Sequence, residues 1–259
     1  MADLSIGLLA HNESLLLGPT LRSLEAAIAA VQETGASVEL LLGLDNCDAR
    51  TRDFVAQPRF DRWRRTDFAL GDQGRVRNEL ARMATGGFMA FVDADDLYSE
   101  NWFAEGLRVL REAEAQGLRR IARPELNWLF DAGQSLLVVP SQDDPLYLPE
   151  YLLVSNPYDA LCMAPRRVWL DHPYADRAVA EGYAYEDWQW AIETTAAGWT
   201  HVAVRDTIIF KRRRDTSQTV RAAGANVHIR QVPGTAIDEG HLLRPDPARG
   251  RDGSGNPDA

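Results

Sequence analysis

Asp93, Asp95 and Asp96 crowd three carboxylates into four positions, immediately after the unbroken apolar run of residues 88–92. Like charges this close raise one another's pKa, and all three stay ionised only beside a cation or a cluster of donors. Hard oxygen donors at the end of a buried strand suit Mg²⁺ or Mn²⁺ holding a substrate phosphate. Taken alone, the same D-x-D-D also fits an acidic turn capping the next helix. The elements around it decide between the two.

Residues 88–92 carry no polar alternation, the pattern of a strand covered on both faces by helices. Residues 4–10 and 38–44 repeat it, and they end at His11-Asn12-Glu13 and Asp45-Asn46. Between them, Gly18-Pro19 opens a helix with Leu21, Leu24, Ile28 and Val31 at helical spacing, and Gly35 closes it. A short helix over 51–55, a short strand over 65–70 and a helix striped by Val76, Leu80 and Met83 follow. Residues 59–65, with four arginines, are expected to be a solvated face. Alternation of strand and helix over the first 120 residues predicts an α/β domain with a mainly parallel sheet flanked by helices. The exits at Asn12, Asp45 and Asp93 then share one sheet edge, where open α/β sheets bind ligands.

The second half is less regular. Residues 121–130 and 135–139 are predicted to pair across a turn at Asp131-Ala132-Gly133. Residues 148–154 suggest a short helix or bend, and 161–164 a further strand. Trp188 and Ile192 place a helix over 186–197, and residues 201–204 and 207–210 read as two closing strands before Lys211-Arg212-Arg213-Arg214. The predicted domain spans 1–232, and the Gly-, Asp- and Pro-bearing tail 233–259 is expected to be largely disordered.

A net charge of −10 speaks against a nucleic-acid surface. Cys47 and Cys162 are too few for a disulfide framework and fit a reducing compartment. No leader pattern and no run of about 20 apolar residues stands out. A cytoplasmic protein is expected, with peripheral attachment at the inner membrane face as a variant. The residues after the first strand are not the Gly-rich loop of a nucleotidyltransferase or an NAD enzyme.

In order along the chain, Ala10-His11-Asn12-Glu13 with Thr20-Leu21-Arg22-Ser23-Leu24, Asp45-Asn46-Cys47-Asp48-Ala49-Arg50-Thr51, Gly74-Arg75-Val76-Arg77-Asn78, Ala84-Thr85-Gly86-Gly87, Phe91-Val92-Asp93-Ala94-Asp95-Asp96 and Tyr185-Glu186-Asp187-Trp188 resemble the motif series of family 2 glycosyltransferases. Each is weak alone; together, spread from about residue 4 to 214, they are specific. The resemblance implies a Rossmann-like fold of the glycosyltransferase A type and inverting transfer of a sugar from a nucleotide diphosphate, UDP favoured, to a glycan or lipid-linked acceptor. A divalent cation, Mn²⁺ or Mg²⁺, is implied with it. A nucleotide-binding half (about 1–120) would precede an acceptor half (121–232).

The same resemblance assigns roles. Asp45 would accept from the base, with Asn12 lining that pocket; Arg77 and Asn78 would shape the nucleotide side. Asp93 would contact ribose or metal, Asp95 would be the main ligand, and Asp96 would share that duty. Asp187 would be the general base and Glu186 would orient the site, although both also fit an N-terminal cap. Arg212 and Arg214 would close on phosphate. His201 is read as structural rather than as a ligand, and Trp128, Tyr158, Trp188 and Trp190 as core or an acceptor platform. His11 and Asn46 depart from the usual motif, and no Q-x-x-R-W follows Asp187, which argues against a processive synthase. The alternative function is a catalytically silent nucleotide-sugar scaffold of a polysaccharide assembly complex.

Overall fold

Leu4, Ile6 and Leu8 of β1 (Leu4–Ala10) turn to one face of the sheet and Leu9 to the other, all buried, so the strand needs helices on both sides. In this computed structural model, which describes residues 2–214 and 226–232, those helices are present. The first is α1 (Leu17–Glu33), entered through a 3₁₀ turn, and its Leu17, Leu21, Leu24, Ile28 and Val31 pack on the first face. By length and composition Ser14–Glu33 is apolar enough to cross a membrane, but that stripe is buried against the sheet as a core helix. Gly35, at φ +84°, takes the left-handed turn out of it.

Next come β2 (Val38–Asp45), α2 (Ala49–Val55), β3 (Arg64–Phe68), α3 (Gln73–Met83) and β4 (Phe88–Asp93). β1 pairs in parallel with β2 and β4, and β2 with β3. The exits of β1, β2 and β4 therefore share one edge, as the sequence predicts. Gly86, before β4, is fixed by close approach: a Cβ there would lie 2.6 Å from the Ser5 nitrogen.

The chain continues through β5 (Leu97–Tyr98), α4 (Trp102–Ala115), β6 (Arg120–Asp131), β7 (Ser135–Val138), α5 (Tyr151–Val154), β8 (Met163–Pro165), α6 (Arg167–Asp171), α7 (Glu186–Ala196) and β9 (Thr200–Arg213). Sheet order is β3-β2-β1-β4-β8-β6-β9-β5, with β7 hairpinned onto β6. β8 runs antiparallel to both β4 and β6, whereas β9 runs parallel to β6. The parallel core thus carries a mixed extension, within the expected α/β class. The two predicted closing strands are one strand: β9 passes its interruption with Asp206 at φ +62°, and the register against β6 shifts between Pro124 and Leu126. The tail 233–259 lies outside the described residues.

Candidate active site

The edge where β1, β2 and β4 end is the floor of a cavity of about 520 Å³. β9 closes it from the other side, because its last residues reach back over the turn that follows β4. Asn12, Asp45, Arg77, Asp93, Asp95, Asp96, Glu186, Asp187, Arg212 and Arg214 all line it. Asn78 does not, which corrects its expected place on the nucleotide side. Successive helical residues point about 100° apart, so Asn78 faces away from Arg77. Its amide donates to the Tyr174 carbonyl at 2.8 Å and its oxygen accepts from the Tyr174 N–H at 2.9 Å.

On the β1–β2 side, the Asp45 carboxylate accepts from the N–H groups of Leu70 (2.7 Å) and Gly71 (2.8 Å). His11 Nδ1 lies 2.6 Å from the Asp45 carbonyl oxygen, and its Nε2 is 2.9 Å from Asn12 Nδ2. Asn12 Oδ1 in turn accepts from Asp48 N–H at 2.8 Å, and Asp48 caps α2. His11, a departure from the usual motif, is therefore a strut of this pocket.

In the acidic turn each carboxylate has its own partner. Asp93 pairs with the buried Arg77 at 2.8 Å, and Asp95 with Arg214 at 2.8 Å. Asp96 accepts from Arg212 N–H at 2.7 Å, while its other oxygen is buried without a hydrogen bond. Burial pushes the Asp95 carboxyl up to about 6 against the pull of Arg214. Burial also holds Asp96 well above the usual range, opposed chiefly by Lys211 and reinforced by Asp93 and Asp95.

Among the described residues no three acidic, His or Cys groups converge as a ready metal cage. The donor set still fits a hard cation. Mg²⁺-type ions need one or two carboxylates, with waters and phosphate oxygens completing the shell. The unmet Asp96 oxygen and the Arg214-paired Asp95 supply such groups.

α7 enters the cavity from a strained residue. Tyr185 is left-handed at φ +61° and makes no side-chain cap; such a conformation in a non-glycine residue costs on the order of 1–3 kcal/mol. It delivers Glu186 and Asp187 to the cavity as the first two residues of the helix. Burial pushes Glu186 up to about 7, the Asp187 charge adding to this and Arg177, 3.6 Å away, opposing it. Burial raises Asp187 as well, with Lys211 the main opposing charge, and its Oδ1 accepts from Trp188 N–H at 2.8 Å.

The Glu186 shift has a thermodynamic signature. Between the ordinary value of 4.5 and about 7 the native chain holds a proton that the unfolded chain has lost, so stability falls as pH rises through that window. Glu186→Gln is expected to flatten the pH dependence of urea unfolding there; an unchanged slope would place the carboxyl in solvent.

Arg212 is committed to Asp131 at 2.7 Å, while Arg214 spans Glu13 (3.5 Å) and Asp95. His201 is fully buried between the ring of Tyr158 and Thr194, a core histidine as expected. Tyr158 and Trp190 are core as well, whereas Trp128 is 41% exposed and Trp188 half-buried. Sequence reasoning passed over Glu13 and Lys211, although Lys211 is the chain's single lysine.

A polar pocket, an acidic turn and a carboxylate pair at a helix start thus meet at the parallel-sheet edge where α/β proteins bind their ligands. The chain belongs to glycosyl transferase family 2: residues 5–134 of its 259, just over half, match that family. Its α/β fold, with a mostly parallel sheet, is that of the glycosyltransferase A type.

Solved structures share the fold at low identity. One is S. aureus TarS 1–349 in complex with UDP-GlcNAc (TM-score 0.62, 14% identity, covering 84% of this chain and 60% of that one). Another is the mannosyltransferase PcManGT from Pyrobaculum calidifontis in complex with GDP-Man and Mn²⁺ (TM-score 0.54, 12% identity, 85% of this chain and 61% of that one). The chain therefore spans about three-fifths of the length of each. No curated protein matches it in sequence.

Proposed function

We propose that the chain moves a sugar, with inversion, from a nucleotide-diphosphate donor (UDP favoured) to a hydroxyl of a glycan or lipid-linked acceptor. Surface or extracellular polysaccharide synthesis at the cytoplasmic face of the membrane is the setting this reading gives it. The observation that carries it is the convergence of eight motif residues, with Arg212 and Arg214, from both halves of the chain on one cavity. Residues 1–120 supply most of the nucleotide side, and 121–232 supply the acceptor side together with Arg214.

In this mechanism Asp45, Asn12 and His11 hold the base, and Arg214 faces the diphosphate. Asp93 and Asp95, with Asp96, would hold a divalent cation. That ion, when bound, supplies Lewis-acid stabilisation of the leaving diphosphate. The acceptor oxygen forms its bond to the anomeric carbon as the bond from that carbon to the diphosphate oxygen breaks. The hydroxyl proton passes to the Asp187 carboxylate, and the nucleotide diphosphate leaves with the electron pair. A helix N-terminus at Asp187 favours the anionic form that this step needs.

The first test is thermal unfolding with a panel of nucleotide sugars and nucleotide diphosphates, with and without Mn²⁺. A ligand at a hundred times its Kd stabilises by about 2.7 kcal/mol, so the matching donor should raise Tm by several degrees, more with the ion than without. If no member of the panel shifts Tm under either condition, the reading fails.

A further inference from the structure

The carboxylates of the cavity are not evenly supplied with cations. Asp93 has Arg77, Asp95 has Arg214 and Glu186 has Arg177, each within 4 Å, whereas Asp96 and Asp187 have no ion pair at that distance among the described residues. One ammonium lines the same cavity as these two. Lys211 follows the β9 register beside Arg212, whose N–H is already bound to Asp96, and its side chain lines the same cavity as Asp187. It is held there rather than left to wander: Nζ lies 3.2 Å from Asp159 Oδ2, and Asn127 of the neighbouring strand β6 donates to the same oxygen at 3.2 Å. Asp159 also accepts from Leu161 N–H at 2.8 Å, which fixes the loop ahead of β8.

We propose that Lys211 is a positioning residue for the transfer: anchored by Asp159, which Asn127 holds in turn, its ammonium keeps Asp187 in the charged form that accepts the acceptor's proton. This deepens the glycosyltransfer reading and rests on it for the role of Asp187. The three arginines that follow are taken, by Asp131 for Arg212 and by Glu13 and Asp95 for Arg214, or lie farther along the strand. An ammonium is a compact point charge that one anchor can aim, whereas a guanidinium would be drawn into a bidentate pair with Asp159. The charges that face Asp187 are Lys211 from β9, Asp159 from the loop before β8, Arg77 from α3 and Glu186 on its own helix. Of these, Lys211 opposes the effect of burial most, and Asp159 adds to it. The four acidic groups Asp159, Asp96, Asp93 and Asp187 together outweigh burial at Lys211 and keep it protonated.

Removing the two partners of this pair should therefore move Asp187 in opposite directions. An opposite charge within a few ångströms is worth about 1–3 pH units to a carboxyl. In Lys211→Met the Asp187 midpoint should rise by about one unit. In Asp159→Asn it should fall, because a negative charge is lost and the ammonium is released toward Asp187. Lys211→Arg should recover part of the native value. A general loosening of the site would instead bring Asp187 down toward the ordinary range in every variant.

The measurement is the carboxyl ¹³C titration of the full chain labelled at aspartate, without donor, with the Asp187 signal identified by its loss in Asp187→Asn. The acid limb of donor hydrolysis should move with it, upward in Lys211→Met and downward in Asp159→Asn. An Asp187 midpoint that fails to rise in Lys211→Met overturns the proposal. If that variant does not fold, an unmoved or raised midpoint in Asp159→Asn overturns it. Should no nucleotide sugar bind, the glycosyltransfer reading falls, while the carboxyl titration still decides what Lys211 does to Asp187.

Discussion

Asp187→Asn is expected to slow sugar transfer by about 10²–10⁴-fold, the usual weight of a positioned general base, while donor affinity stays within a few-fold. The separation follows from where the residue sits. Asp45, Asn12 and the acidic turn belong to the strand ends of the first half of the chain, whereas Asp187 arrives from α7 in the second half. An amide keeps the bond from Trp188 N–H, because its carbonyl oxygen replaces Oδ1 at 2.8 Å from that nitrogen. It also keeps the size of the side chain, so the entry through left-handed Tyr185 is undisturbed. What it loses is the ability to take a proton. Isothermal titration of the nucleotide diphosphate against both proteins, beside a transfer assay, checks both halves. Lost donor binding would move Asp187 from base to ligand, and retained transfer would leave the proton to another group, Glu186 being the nearest in sequence. Glu186→Gln is expected to be milder in rate, because that carboxyl is 8% exposed and faces Arg177.

The elements that could be read from the sequence are those whose signal is local. β1 and β4 show themselves as unbroken apolar runs because both faces are covered, and the β6–β7 hairpin by Asp131 and Gly133, both at positive φ in its turn. β9 could not be read whole. Arg205-Asp206 looks like a stop, yet the strand is carried across it by pairing with β6, a contact remote in sequence. β5 is two residues long and exists only because β9 is beside it.

The site divides the same way. The carboxylates announce themselves by type and by their place at strand ends. Which cation each one meets does not: Arg77 and Asn78 are neighbours on α3, but one reaches Asp93 and the other Tyr174, far along the chain. Lys211 looks like part of a basic run, and only the fold pairs it with Asp159 and brings it into the cavity that Asp187 lines. Spacing can reveal which residues share an edge; the partner of each buried charge comes from contacts across the sheet.

The second large effect follows from the most deeply placed of those charges. Arg77 has 2% of its side chain exposed and Asp93 17%, and Nη2 lies 2.8 Å from Oδ1. Burial works against the Arg77 cation, but Asp93, Tyr174 and Glu186 together outweigh it, so Arg77 stays charged. A matched buried pair is weak evidence for stability, since both ions were taken out of water to form it. Breaking it is another matter. Arg77→Met removes the Asp93 ion pair and leaves Asp95 and Asp96 close by, and it should cost about 3–5 kcal/mol in urea unfolding at neutral pH. It should also weaken donor binding, because Asp93 is on the cavity wall and its orientation comes from Arg77. The paired change Arg77→Met with Asp93→Asn removes both charges and should recover most of the stability without recovering donor binding. A double-mutant cycle separates the two contributions. If the single change costs less than about 1 kcal/mol, the range of exposed pairs, water reaches Asp93 and the wall is held by packing alone. If the double change restores donor binding along with stability, Asp93 has no part in holding the nucleotide, and the ligand duty of the turn falls to Asp95 and Asp96.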